Sequence, residues 1–292
     1  MEEHGPSTSV PRRHRHNGQR RFRPSSDWSA AMTGLLTGLQ GGRIDAVGLT
    51  KSFGGFVAVD NVDISIDGAG VTALIGPNGA GKSTLFNLIC GQLTPDAGSV
   101  HINGMDFTGS PPHLVAQQGV ARGFQDVRLF PSMTVLANVM VYAQPQSSSG
   151  LIHTMVRPFH QFRLNRELRA TAMELLDYLS IAQLADQECG SLGFAQQKLV
   201  AIARLLALRP RVLMLDEPAS GLDHDGREVL TDAITHLASD GLTICFVEHN
   251  TEMVRRIADR VVFLAQGKIL ASGTSDEVFN HSSLAEAYLG IA

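Results

Sequence analysis

The sequence is poor in cysteine and in aromatic residues. Its 292 residues include three cysteines and one tryptophan, and Phe, Tyr and Trp together make up 6% of the chain. Cys90, Cys189 and Cys245 lie far apart in the sequence and lack the spacing of metal ligands. We therefore expect reduced thiols in a reducing compartment and assign them no function.

The sequence also lacks a long hydrophobic run. No stretch reaches the roughly 18 uninterrupted apolar residues that identify a membrane-spanning helix. We expect a chain that does not cross a membrane by itself. Its length allows one extended α/β domain or a core with a smaller subdomain.

Acidic residues are scarce at the start of the chain, although the formal net charge of the whole chain is −4. Residues 1–40 contain six arginines and three acidic residues, together with many His, Ser, Pro and Gly. This composition predicts a basic, disordered N-terminal extension over residues 1–42. Three other interpretations of this extension are open. It could contact nucleic acid or anionic lipid, it could be an export signal of the twin-arginine type, or the true start of the protein could be Met32. For the rest of the chain we expect no nucleic-acid partner.

A glycine-rich segment carries the strongest functional signal. Residues 76–84 read GPNGAGKST, which satisfies the pattern G-x-x-x-x-G-K-[ST]. The apolar residues 71–75 before it predict a buried strand, and residues 82–90 predict a helix. Glycines let successive backbone N–H groups surround an anion, and the helix N-terminus adds partial positive charge. The spacing therefore predicts a phosphate-binding loop.

In such a loop, Lys82 reaches the β- and γ-phosphates of a nucleotide, and the Ser83 hydroxyl binds Mg²⁺. The predicted phosphate-binding residues are Gly76, Pro77, Asn78, Gly79, Ala80, Gly81, Lys82, Ser83 and Thr84.

Strands and helices alternate along the rest of the chain, which predicts a mainly parallel sheet with ligand sites at its carboxyl edge. The region of about 111–191 is mainly helical in pattern and is predicted to be an insertion into this core. The further predicted strands are 45–49, 61–66, 98–103, 212–215 and 243–247, and the further predicted helices are 166–179, 196–207 and 228–237.

More motifs follow in a fixed order. Gln125 lies in the segment GFQD, the apolar strand 212–215 ends in Asp216 and Glu217, and His249 follows the strand 243–247. Together with the phosphate loop and the segment SGLD at 220–223, this series resembles the nucleotide-binding subunits of ABC transporters over about residues 44–292.

The resemblance implies an α/β fold with a P-loop NTPase core of mainly parallel sheet, an antiparallel β subdomain and an inserted helical subdomain. It places an ABC ATPase domain at 43–292, with the helical subdomain at about 111–205. It also implies that ATP and Mg²⁺ are the cofactors.

The resemblance further implies roles for single residues. Asp216 would bind Mg²⁺, Glu217 would be the general base for the attacking water, and His249 would contact the γ-phosphate. Gln125 would contact Mg²⁺ or the water and link the site to the membrane partner. Phe53 occupies the aromatic position expected to stack on adenine, with core packing as the alternative.

One motif departs from the family pattern. The signature L-S-G-G-Q, which binds the nucleotide held by the opposite subunit, aligns with residues 192–196. Its serine is replaced by Gly193 and its second glycine by Ala195, while Gln196 is kept. The lost hydroxyl removes a donor to a charged group, and we expect the Ala195 methyl to obstruct a close approach of the nucleotide. The two nucleotide sites of a dimer would then be unequal if the partner subunit carries a regular signature.

Two segments are similar to the subgroup that serves branched-chain amino acid uptake, namely ARGFQDVRLF at 121–130 and AYLG at 287–290. The implied function is ATP hydrolysis in an importer at the cytoplasmic face of the membrane. The implied partners are a second ATPase subunit (identical or different), permease subunits and, indirectly, a solute-binding protein. Three alternatives remain open. The importer could carry related solutes such as urea, the chain could be a structural or regulatory subunit, or it could be a soluble ABC ATPase.

Overall fold

The structure of the protein is a computed structural model, and it describes residues 41–68, 70–123, 127–143 and 158–280. The described strands are β1 (Ile44–Phe53), β2 (Phe56–Ile66), β3 (Val71–Ile75), β4 (Ala97–Ile102), β5 (Met105–Asp106), β6 (Val120–Gly123), β7 (Val212–Asp216), β8 (Thr243–Val247), β9 (Arg260–Ala265) and β10 (Lys268–Gly273). The described helices are α1 (Lys82–Ile89), α2 (Pro112–Gln117), α3 (Val135–Ala143), α4 (Pro158–Tyr178), α5 (Phe194–Leu206), α6 (His224–Ser239), α7 (Thr251–Ile257) and α8 (Ser275–Phe279).

The strands form two sheets. The larger sheet has the order β10-β9-β3-β8-β7-β6, and its strands pair in parallel except for β10, which runs antiparallel to β9. The smaller sheet is antiparallel with the order β2-β1-β4-β5. The parallel core and the antiparallel subdomain predicted from the sequence are therefore present.

Both faces of the parallel sheet are buried, which explains why its strands are apolar without alternation. In β7, Val212 and Met214 contribute to one core, while Leu213 and Leu215 contribute to the other. The first core also contains the apolar face of α1 and the inner face of the antiparallel sheet. The second core contains the helices α3 to α7. The parallel strands thus form the central layer, and their carboxyl ends meet at one edge.

The structure differs from the sequence prediction in one part of the helical segment. Strand β6 lies inside the range predicted to be the helical subdomain, but it pairs in parallel with β7, with Arg122 opposite Met214. Its four residues, VARG, include an arginine and a glycine, so the local pattern does not indicate a strand. Pairing with a distant strand decides its structure.

The C-terminal part of the sheet was also not predicted. The short helix α7 and the strands β9 and β10 follow the last predicted strand. Strand β9 pairs in parallel with β3, on the side of β3 opposite to β8. Most of the predicted N-terminal extension, residues 1–40, lies outside the described residues, as does the terminal segment 287–290. The disorder predicted for the extension therefore stays a prediction.

Candidate nucleotide site

The loop between β3 and α1 has a backbone that tolerates only glycine at two positions. Gly76 has φ of +155° and Gly81 has φ of +101°. A Cβ at Gly76 would lie 2.0 Å from the carbonyl oxygen of Leu264, and a Cβ at Gly81 would lie 2.2 Å from that of Ala58. Neighbouring backbone therefore fixes the tight path of the loop. The loop lies at the carboxyl edge of the parallel sheet, between the end of β3 and the start of α1.

Lys82 is the cation of this loop. Its side chain is buried, and the Nζ atom donates hydrogen bonds to the carbonyl oxygens of Gly76, at 2.8 Å, and Pro77, at 2.9 Å. Burial lowers the pKa of Lys82, and the charges of Glu217 and Asp216 act in the opposite direction. The ammonium group is thus held across the loop and within the field of the two carboxylates. Ser83, the next residue, is exposed.

Asp216 ends β7 and faces a cation from the neighbouring strand. Its Oδ2 lies 3.4 Å from an Nη atom of Arg122, whose other Nη donates to Oδ1 of Asn87 on α1 at 2.6 Å. Both charged side chains are largely buried. Arg122 thereby connects strand β6 to Asp216 and to the helix of the phosphate loop. Sequence reasoning did not identify Arg122 as a site residue, because only the pairing of β6 with β7 brings it next to Asp216.

Glu217 adopts an uncommon backbone conformation. Its φ is +46°, in the left-handed region that non-glycine residues rarely adopt. The Glu217 N–H donates to the carbonyl of Val247 at the end of β8, at 3.0 Å. The residue is thus fixed between the ends of two neighbouring parallel strands. Such outliers often occur at functional sites.

His249 lies beyond the end of β8, two residues after Val247. Its side chain is 64% exposed, and its Nδ1 lies 3.9 Å from Oε2 of Glu248, which is buried. The imidazole is therefore open to solvent at the same sheet edge as Lys82 and Asp216. Its predicted contact with a γ-phosphate stays a prediction.

Phe53 lies at the end of β1 and is accessible. Its side chain is 46% exposed, and Nζ of Lys51 lies 5.8 Å from its ring centroid. Phe56, opposite Phe53 across the hairpin, is 64% exposed and was not identified from the sequence. Core packing does not explain an exposed side chain at Phe53, so stacking on adenine remains the prediction.

Gln125 lies outside the described residues, and its role also stays a prediction.

The altered signature segment forms the start of α5. Gly193 is the N-cap and has no side chain to accept a hydrogen bond, while Oε1 of Gln196 accepts from the Gly193 N–H at 3.1 Å. Phe194, 44% exposed, stands at the position of the first glycine of L-S-G-G-Q, a departure that sequence reasoning overlooked. A Cβ built on Gly221 would lie 2.8 Å from its ring. The start of α5 therefore packs on the loop that follows β7.

The structure places the Ala195 methyl differently from the sequence expectation. A Cβ built on Gly226, in the first turn of α6, would lie 3.1 Å from the Ala195 Cβ. Ala195 is also packed against the core that contains the helices. The methyl group faces α6 of the same chain, so the expected obstruction of a nucleotide at this position does not follow from the structure.

The residues at the sheet edge fit a nucleotide with its metal ion. The tight path of the phosphate loop requires Gly76 and Gly81, and Lys82 supplies positive charge to it. An exposed hydroxyl at Ser83 and a carboxylate at Asp216 are the oxygen ligands that Mg²⁺ prefers. The fold and this site define a nucleotide-binding protein of the P-loop class.

The comparisons with known proteins identify the family. The family described as ABC transporter matches residues 59–220. The branched-chain amino acid transport ATP-binding protein BraF of Pseudomonas aeruginosa is 36% identical over 250 residues, covering 85% of this chain and 98% of BraF. LivG of Escherichia coli K12 is 35% identical over 246 residues, covering 84% and 96%. The chain belongs to the ATP-binding subunits of ABC transporters, as the sequence resemblance predicted.

Solved structures agree with this assignment. The ADP conformation of MJ1267, an ATP-binding cassette of an ABC transporter, matches with a TM-score of 0.75 and 30% identity, over 85% of this chain and 99% of that one. The dimeric bacterial cassette MJ0796 matches with a TM-score of 0.65 and 26% identity, over 80% and 98%. The predicted fold class is confirmed.

Proposed function

We propose that this chain binds and hydrolyses ATP with Mg²⁺ as a subunit of an importer for branched-chain amino acids. The observation that carries the proposal is the convergence of Lys82, Asp216 and Glu217 at one sheet edge around a glycine-dependent loop. The names of BraF and LivG support the choice of solute class.

Each residue would have a distinct task in hydrolysis. The loop N–H groups and Lys82 bind the phosphates and balance their charge, while Ser83, Asp216 and Gln125 would hold Mg²⁺. When bound, Mg²⁺ supplies a Lewis acid that neutralises charge on the transferred phosphoryl group.

Glu217 then accepts the proton of the attacking water. A general base of this kind typically contributes about 10²- to 10⁴-fold in rate. His249, exposed at the same edge, donates a hydrogen bond to the γ-phosphate. The proposed base thus directly follows β7, and the groups that balance the phosphate charge lie in the loop after β3.

We further propose that the site is completed by a second ATPase subunit. In such a pair, residues 192–196 of this chain face the nucleotide held by the partner. Because Gly193 offers no hydroxyl, a pair of identical chains would lack this donor at both nucleotides, whereas a partner with an intact signature would supply it to the nucleotide held by this chain. We therefore favour a different partner subunit with an intact signature, because that pair would keep one complete nucleotide site.

The membrane-embedded part of the importer would be supplied by permease subunits. None of the helices among the described residues has the length and apolarity needed to cross a bilayer. We place the chain at the cytoplasmic face of the membrane, with permeases reached through the segment around Gln125 and the helical subdomain. A solute-binding protein on the other side would deliver the solute.

Replacing the proposed base tests the enzymatic part of this proposal. We expect Glu217→Gln, assembled with its native partner subunits, to bind ATP with unchanged affinity and to hydrolyse it at least about 100-fold more slowly. Steady-state ATPase rates and nucleotide binding by fluorescence titration measure the two effects. The exposed Glu174→Gln is the matched control and should behave as wild type. Unchanged turnover in Glu217→Gln would remove the residue from the base role.

The solute is tested by transport. We expect proteoliposomes containing the complete transporter to accumulate radiolabelled leucine in an ATP-dependent manner, and urea not at all. Uptake of urea without leucine would replace the proposed solute class and leave the ATPase proposal intact.

A further inference from the structure

Glu248 is a buried carboxylate to which the proposed mechanism gives no task. Its side chain is 1% exposed, and it is the one acidic residue in the buried class within the described ranges. A charged carboxylate at this depth requires strong compensation from hydrogen bonds. The donors of these hydrogen bonds indicate the role of Glu248.

The Glu248 carboxylate accepts three backbone hydrogen bonds from two loops. Oε1 accepts from the N–H of Ala219, at 2.9 Å, in the loop after β7. Oε2 accepts from the N–H groups of His249, at 3.1 Å, and Asn250, at 3.3 Å, in the loop after β8. One side chain therefore joins the loop that follows Glu217 to the loop that carries His249.

The same contact supports the backbone of Glu217. That residue has φ of +46°, and its N–H donates to Val247 just before Glu248. The Ala219 bond to Glu248 fixes the chain two residues further on. Glu217 is thus held on both sides by the end of β8, which keeps it in a conformation that it would otherwise rarely adopt.

We propose that Glu248 is a positioning residue whose carboxylate clamps the Glu217 loop to the His249 loop, so that both side chains reach one nucleotide together. The inference rests on the proposed roles of Glu217 and His249. It assigns Glu248 no contact with nucleotide or metal. A purely structural role predicts lower stability alone, whereas the clamp predicts a defect confined to these two loops and to the rate of hydrolysis.

The first test measures the clamp without any nucleotide. We expect Glu248→Gln in the full chain to speed amide hydrogen exchange in peptides covering 217–220 and 248–251 by about tenfold or more, because an amide offers one acceptor oxygen instead of two. Peptides of β4 should exchange as in wild type.

The matched control is Thr243, the first residue of β8, the strand that Glu248 follows. Thr243 is also buried, and its Oγ1 donates to the Gly42 carbonyl at 2.9 Å. We expect Thr243→Val to lower the melting temperature and to leave exchange in both loops unchanged. Unchanged loop exchange in Glu248→Gln, or equal acceleration in both variants, would overturn the clamp.

The second test uses the assembled transporter. We expect Glu248→Gln to lower kcat for ATP by about tenfold or more while KM and the nucleotide Kd stay within about twofold, since the phosphate loop is untouched. A parallel loss of nucleotide affinity, or the same kcat loss in Thr243→Val, would indicate a structural role only. If the wild-type transporter hydrolyses no ATP, the proposed function fails, while the exchange experiment still decides the clamp.

A third variant covers the case in which Glu248→Gln does not fold. Glu248→Asp keeps the charge but shortens the side chain, so it should lose the bond to Ala219 and keep those to His249 and Asn250. Exchange should then accelerate in 217–220 but not in 248–251. Equal behaviour of the two peptides would contradict the two-loop geometry.

Discussion

Side-chain direction determines what the substitutions in the signature segment do. The Ala195 methyl faces Gly226 of α6 and the core, whereas Gly193 caps α5 with no side chain at all. These two of the three departures from L-S-G-G-Q are therefore not equivalent. The missing hydroxyl affects the surface that a partner's nucleotide would meet, while the added methyl contributes to packing within the chain.

This difference gives a prediction for single substitutions. We expect Gly193→Ser to raise the ATPase rate of the native assembly by up to about tenfold, because a hydroxyl donor to a phosphate is restored. We expect Ala195→Gly alone to leave the rate within about twofold and to reduce stability slightly, because glycine is a poor helix former. Steady-state ATPase assays of both variants measure this. A rise in Ala195→Gly and none in Gly193→Ser would reverse the assignment.

At the scale of elements, a side-chain hydrogen bond joins the end of α4 to the end of α6. Tyr178, at the end of α4, is buried and donates its hydroxyl to Oδ2 of Asp240, at 2.7 Å, just beyond α6. Its ring stacks on His236 with centroids 5.0 Å apart. Burial and the Asp240 charge both raise the pKa of Tyr178, so the hydroxyl stays protonated and remains a donor.

Removing this hydroxyl should loosen the attachment of α4. We expect Tyr178→Phe to lower the free energy of unfolding by about 1.5 kcal/mol, the lower end of the range for a bond to a charged group, because Asp240 can be rehydrated. Urea unfolding measures the change. Combining it with Asp240→Asn in a double-mutant cycle isolates the pair. Full additivity of the two substitutions would show that the hydrogen bond contributes nothing.

At the scale of the whole molecule, all three thiols are enclosed by the two cores. Cys90 and Cys245 belong to the core that contains α1, and Cys189 belongs to the core that contains the helices. Burial raises the pKa of Cys90 to about 11 and also raises the pKa of Cys189 and Cys245. At pH 8 the groups are therefore neutral thiols, which are poor nucleophiles.

Thiol labelling checks this arrangement. We expect no fast reaction with Ellman's reagent at pH 8 in the folded chain, and three reactive thiols per chain in guanidinium chloride. Glu174→Cys on the exposed face of α4 is the positive control and should add one fast-reacting thiol. A fast thiol in the folded wild type would mean that a core opens readily.

Local patterns predicted the elements that form the centre of the site. Strand β8 matches its predicted range of 243–247, β3 matches 71–75, and α1 begins at Lys82 as the motif requires. The two strands are apolar on both faces, and the start of the helix is fixed by the spacing of the motif. The local sequence is therefore sufficient to predict these three elements. Strand β6, with its Arg and Gly, lacks such a pattern.

The sequence by itself determined the family, the phosphate loop and the residues proposed for chemistry, because each depends on spacing along the chain. The tertiary structure alone decided that Glu248 joins two loops, that Arg122 faces Asp216 and that the Ala195 methyl points into the chain. These contacts join segments that lie far apart in sequence, and the packing of parallel strands brings them together. No local pattern carries that information.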